Sequence, residues 1–252
     1  MNYRTKTLSA LVMLSIGFGE VVINEYSASN LTGYADDYDK YEDWIEIYNT
    51  GTSDVDISGF YLSDNPNNPT KWSFPAGTII SGNRFLIIWC SGRDEINGDN
   101  YHTNFKLKQT KEEPDHIVFS TSNGDIINDV PLQKTQLEHS YGRLPNDLNN
   151  WRIFNNPTLG SVNFGSNYER YAEKPTMSLE AGYHTGAQTL EISTNEPISS
   201  IFYTTNGNRP NIASNLYSEP IFLANTQIVK ALVLSNNPEV LPSFIEFNTY
   251  LK

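Results

Sequence analysis

Residues 34–51, YADDYDKYEDWIEIYNTG, gather six carboxylates (Asp36, Asp37, Asp39, Glu42, Asp43 and Glu46) around one lysine, Lys40. Hard oxygen donors at that density suit a divalent cation, and Asp36, Asp37, Asp39, Glu42 and Asp43 form a candidate Ca2+ set in one loop. The spacing is not that of an EF-hand, which wants acids at alternate positions, a central Gly and a closing Glu. The alternative is a solvated acidic loop that leads into a strand. Glu46 belongs to the strand itself. In DWIEIYN, Trp44, Glu46 and Tyr48 share one face, while Ile45 and Ile47 share the other. With both isoleucines in a core, Glu46 points outward or pairs across the sheet. Glu25, in INEY, is expected beside it, and two carboxylates so placed need a cation or a raised pKa.

Other chemistries find less support, and no catalytic residue is assigned. A glycosidase dyad needs two carboxylates facing across a sugar-sized cleft, but among 29 acidic residues some pair is always available. His102, His116, His139 and His184 lie in no local nucleophile motif such as G-x-S-x-G, and no His or Cys spacing suits zinc. Cys90, the only cysteine, excludes an intrachain disulfide and reads in FLIIWCSG as a small apolar core residue. Toward the C-terminus, Tyr203, Tyr217 and Tyr183 could stack on sugar rings beside a polar turn of Asn206, Asn208 and Arg209. Alternatively, Tyr203 and Tyr217 plug the edge of a sandwich, with their hydroxyls bonded to backbone.

The elements that position these residues read as strands. Period-2 alternation runs through VVINEYSA, DWIEIYN, RFLIIWC, HIVFST and GDIINDV, with breakers such as NTGTSD, SDNPNNP, PAGT and SNG between them. No stretch after residue 20 holds a 3.6-residue apolar period. Short strands at roughly 8–12-residue spacing predict an all-β sandwich or barrel. A polar seam, GSVNFGSNYERYAEKP, separates a second strand-rich unit carrying TLEIS, SIFYTT, PIFLA, TQIVKALVL and FIEFNTYL. The expected division is 20–163, a linker over 164–174, and 175–252.

At the N-terminus, Arg4 and Lys6 precede LSALVMLSIGFG, too short to span a bilayer with ease and the right length for a secretory h-region. Gly17 and Gly19 suit cleavage before Glu20, so residues 1–19 read as a signal peptide and the chain as secreted or held at the cell surface. No later stretch is apolar and long enough for a transmembrane helix. A net charge of −12 sets nucleic acid at a disadvantage and favours divalent cations.

The first unit resembles the lamin tail domain in its secreted bacterial form. The resemblance is carried in order by VVINEYSASN, DWIEIYNTG, ISGFYLSDN, KWSFPAGTIISGNRFLIIW, HTNFKLKQ, GDIINDV, SYGRLPND and WRIFNNPTLGSVN. It implies an immunoglobulin-like β-sandwich without catalytic residues. The second unit, through IFYTTNGNRPNIASNLYSEPIFLANTQIVKALVL, resembles the C-terminal domain of chitobiases and β-hexosaminidases. That likeness implies a second such sandwich, used beside catalytic domains as a spacer or sugar-contacting module. PSFIEFNTYLK resembles the junction at which similar secreted proteins enter a CotH-type kinase domain. The reading is therefore two tandem immunoglobulin-like sandwiches serving as a non-catalytic interaction or spacer module for a protein or glycan at the cell surface. The alternatives are the accessory part of a longer secreted enzyme and a carbohydrate-binding module.

Overall fold

The computed structural model describes residues 21–252, so the expected signal peptide lies outside the described residues. The described chain contains no helix and is about 43% strand. Every alternating stretch named above carries a strand.

An eight-stranded sheet organises the first unit. Its spatial order is Asn167–Tyr168, Asp147–Phe154, Ser140–Leu144, Val21–Ser27, Trp44–Asn49, Phe85–Trp89, Asn100–His102 and Glu95–Asn97. A four-stranded sheet, Ile126–Pro131, His116–Ser120, Tyr61–Ser63 and Trp72–Ser73, supplies the second layer. Ile23, Tyr26, Ile45, Ile47 and Ile88 from the first sheet meet Leu62, Ile117 and Phe119 from the second in one apolar cluster, which also takes in Phe74 and Cys90. Ile45 and Ile47 thus face the core as their alternation requires.

The other face of the large sheet is not open to solvent. Glu46 takes the side opposite the isoleucines, yet it is 0% exposed. Of the two expected alternatives, pointing outward or pairing across the sheet, Glu46 takes the second, opposite Glu25. Residues 155–163 reach across that face and bond to it from above. A register shift between Ile23 and Glu25 places a bulge at Asn24. It sets Asn24 and Glu25 against the single residue Glu46 and returns Tyr26 to the core.

The second unit is built on a five-stranded sheet in the order Gly182–Tyr183, Glu246–Leu251, Gln227–Ser235, Ser199–Thr204, Asn215–Leu216. Two short pairs, Thr176–Met177 with Ile192–Ser193 and Gln188–Leu190 with Ile221–Leu223, accompany it. Leu190, Ile192, Leu223, Val229, Ala231 and Tyr250 form its core. Asn167–Tyr168 pairs with the first unit, whereas Arg170–Tyr171 pairs in parallel with Val240–Leu241 of the second. The segment 164–174 is therefore strapped to both units.

Candidate functional site

The acidic loop is wired to the hairpin formed by Glu95–Asn97 and Asn100–His102. One oxygen of Asp36 accepts from the backbone N–H of Tyr38 at 2.9 Å and of Lys40 at 2.8 Å. The other accepts from Arg93 at 2.6 Å. The two oxygens of Asp37 bond His102 Nε2 and Asn97 Nδ2, each at 2.7 Å. Burial pulls Asp37 upward, but hydrogen bonds from His102 and Asn97 outweigh it and hold the carboxyl below its usual pKa. Glu42 pairs with Lys106 at 2.8 Å and Arg93 at 3.4 Å. Asp39 sits at φ +56° in the turn between Asp36 and Lys40, and burial raises Asp43 to about 6.

Of the five expected ligands, Asp36 and Asp37 come together, and His102 joins them with one donor atom from each within 4.8 Å. Arg93 already occupies Asp36, so a cation here competes with a guanidinium. The loop is otherwise at the surface, as the solvated-loop reading expects: residues 34, 35 and 37–41 are exposed, and only Asp36 is buried.

The same wiring includes an arrangement that sequence reading missed. Ser91 Oγ lies 3.1 Å from His102 Nδ1, and His102 Nε2 lies 2.7 Å from Asp37. The order matches a Ser–His–Asp nucleophile system, but the exposure is inverted. Ser91 is 5% exposed, and its oxygen accepts the Arg93 backbone N–H. An acyl-transfer site needs an open hydroxyl and a sheltered carboxylate. Here the hydroxyl is sheltered while Asp37 lies at the outer end, so the chain of bonds serves to pin the loop. The signal was invisible because Trp89 and His102 meet through a parallel pairing that no local motif encodes.

Glu25 and Glu46 form the most unusual group. They are register partners, as expected, and both are 0% exposed. Glu25 accepts from the Ser140 hydroxyl, from Thr158 Oγ1 at 2.9 Å and from the Thr158 N–H at 3.2 Å. Glu46 accepts from Asn24 Nδ2 at 2.8 Å and from the Gly160 N–H. Asn163 closes the group, taking a bond from Asn24 at 3.0 Å and giving one to the Arg143 carbonyl at 2.8 Å. Burial raises both carboxyls, Glu46 to about 8. No described residue forms an ion pair with either acid, and burial is the largest cause of both upward shifts. Sealed beneath 155–163, the two acids reach no substrate.

In the second unit, Tyr203 and Tyr217 pack edge-on at 6.2 Å against its core, and Tyr217 Oη accepts the Ile192 N–H at 3.0 Å. Their rings therefore fill the sandwich. Asn206 Oδ1 accepts from the Asn208 N–H at 3.0 Å, which shapes the turn. Arg209 is exposed and has no ion pair among the described residues. Tyr183 stands apart at 71% exposed.

Two family models match the chain in separate stretches. Residues 16–133 match the family model of the Lamin Tail Domain, and residues 179–240 match that of the Chitobiase/beta-hexosaminidase C-terminal domain. The first match begins inside the expected signal peptide and stops before Ser140–Leu144, Asp147–Phe154 and Asn167–Tyr168, which complete the same sheet. No curated protein and no solved structure matches the chain. Both families are immunoglobulin-like β-sandwiches of non-catalytic type. The chain thus carries a lamin tail domain followed by a chitobiase/β-hexosaminidase C-terminal domain.

Proposed function

We propose that this chain is a non-catalytic interaction and spacer module, secreted or held at the cell surface, with the units divided over 20–163 and 175–252. One observation carries the reading. The outward face of the five-stranded sheet exposes apolar side chains on several strands, with Thr204, Lys230 and Thr249 among them. Register puts Leu216 opposite Phe202, Thr204 opposite Lys230, Lys230 opposite Phe247, Ile228 opposite Thr249 and Leu251 opposite Tyr183. Pleating keeps these residues on the side away from Val229, Ala231 and Tyr250. Tyr183 is 71% exposed, Phe247 61%, Leu216 58%, Leu251 44% and Ile228 40%. Exposed apolar side chains gathered on one sheet face suit contact with another macromolecule. The burial of Glu25, Glu46 and Ser91 supports the non-catalytic half of the reading.

The test is retention of the purified chain on envelope preparations of the producing cell. A Phe247→Ser, Ile228→Ser variant should lose retention while keeping the parent thermal midpoint. Undiminished retention would sink the assignment of this face. Export is tested separately, by finding a mature form that begins near Glu20 outside the cytoplasm.

A further inference from the structure

A second site lies on the seam between the two sandwiches and rests on different residues from the apolar face. A cavity of about 410 Å3 is lined by Lys134, Gln136 and His139 from the first unit and by Arg209 and Phe244 from the second. That volume falls within the range of small-molecule sites, which favour domain interfaces. No carboxylate lines it, although the chain carries 29 acidic residues and a net charge of −12. Both of its full cations are unpaired among the described residues. Arg209 forms no ion pair, and Lys134 contacts only the Phe244 ring, with Nζ 5.1 Å from its centre.

Part of the rim is fixed by hydrogen bonds, while Lys134 and Arg209 reach it from two loops. Tyr171 Oη accepts from the Gln136 N–H at 2.9 Å and bonds His139 Nδ1 at 2.8 Å, leaving His139 Nε2 without a partner in the described chain. Gln136 Nε2 reaches the carbonyls of Pro242 and Ser243 at 3.1 and 3.2 Å, tying the other rim. Two cations that line one cavity with no carboxylate in its walls favour the entry of an anion between them. Phe244 adds an apolar surface for the carbon frame of the ligand.

We propose that this cavity binds a small organic anion through a carboxylate or phosphate group held between Lys134 and Arg209. The proposal stands apart from the spacer reading, because a rigid spacer needs no ligand.

Titration calorimetry on the full chain, at low and moderate salt, uses glucuronate, glucose 6-phosphate and glucose as probes of equal ring size. Inorganic phosphate serves as the frame-free control. The expected result is saturable binding of one or both charged sugars, weakened by added salt, with none for glucose. Preference between the two charged sugars identifies the anionic group. A Lys134→Gln, Arg209→Gln variant should lose at least about tenfold in affinity at an unchanged thermal midpoint. Binding that survives in this variant, equal binding of glucose, or no saturation by either charged sugar below about 20 mM would overturn the proposal. So would inorganic phosphate binding as tightly as the charged sugars, since the site would then hold an adventitious ion only.

Discussion

Glu25 and Glu46 stand opposite each other across adjacent strands, both closed off from water and neither in an ion pair with a described residue. Burial raises both carboxyls, Glu46 to about 8, which favours the protonated form of that acid at neutral pH. An unfolded glutamate releases its proton near its ordinary pKa, whereas folded Glu46 keeps its proton to about 8. Between those values the folded state binds more protons than the unfolded one, so stability falls as pH rises. Below the ordinary pKa both states are protonated and the cost disappears. Glu46→Gln mimics the protonated acid, and it should flatten the decline between about pH 5 and pH 8 and stabilise the chain at pH 8 by on the order of 2–3 kcal/mol. Urea midpoints measured across that range check this. A parallel decline in both proteins would show that Glu46 is ionised in the fold.

The same group explains a glycine. Gly142 is the register partner of Glu25 on the opposite side from Glu46. A Cβ there would lie 2.5 Å from Asn163 Nδ2 and 3.0 Å from Glu25 Cγ. Its backbone is not in the left-handed region, so Gly142→Ala tests space alone. The variant should lose roughly 1–3 kcal/mol by overpacking. Asn163→Ala in the same chain should recover part of that loss, and strictly additive effects would place the strain elsewhere.

Part of this was legible in the residues. Alternation in DWIEIYN fixed which side Ile45 and Ile47 take, and it made Glu25 the neighbour of Glu46. It could not reveal that residues 155–163, more than 100 positions downstream, roof that side. The bulge at Asn24 was equally hidden, because the local alternation runs through it. In SSIFYT the alternation separates Phe202 from Tyr203, but both faces are apolar, so the residues alone could not say which ring enters the core. Ser91 and His102 meet only through a parallel strand pair, a contact that short-range spacing does not encode.

Arg93 is the hub of the acidic loop. Its guanidinium holds Asp36 at 2.6 Å and Glu42 at 3.4 Å and lies over the Tyr38 ring at 4.6 Å. Arg93→Gln leaves the Asp36 carboxylate buried without its counter-charge, an omission that costs about 2–4 kcal/mol. The loss should appear locally first, as faster hydrogen exchange over residues 34–43 than in the core strand Trp44–Asn49. Equal protection in parent and variant would mean that the backbone bonds to Asp36 hold the loop unaided.

One hydroxyl helps to fasten the seam between the units, beside the bonds from Gln136 Nε2 to the Pro242 and Ser243 carbonyls. Tyr171 Oη takes the Gln136 N–H and reaches His139 Nδ1, while its ring packs on Phe244 at 4.8 Å. Surface pairs from Arg152 to Glu169 and Glu239, at 3.2 and 3.4 Å, add little beside it, because exposed charges are well screened. Tyr171→Phe keeps the ring packing and removes both hydrogen bonds, leaving the Gln136 amide unpaired. The cost should be about 1–2 kcal/mol, borne by the contact between the units and not by either core. Calorimetry should then resolve two transitions where the parent is expected to give one, and exchange at the Gln136 amide should quicken. If that amide stays protected in the variant, the hydroxyl is not what fastens the two sandwiches.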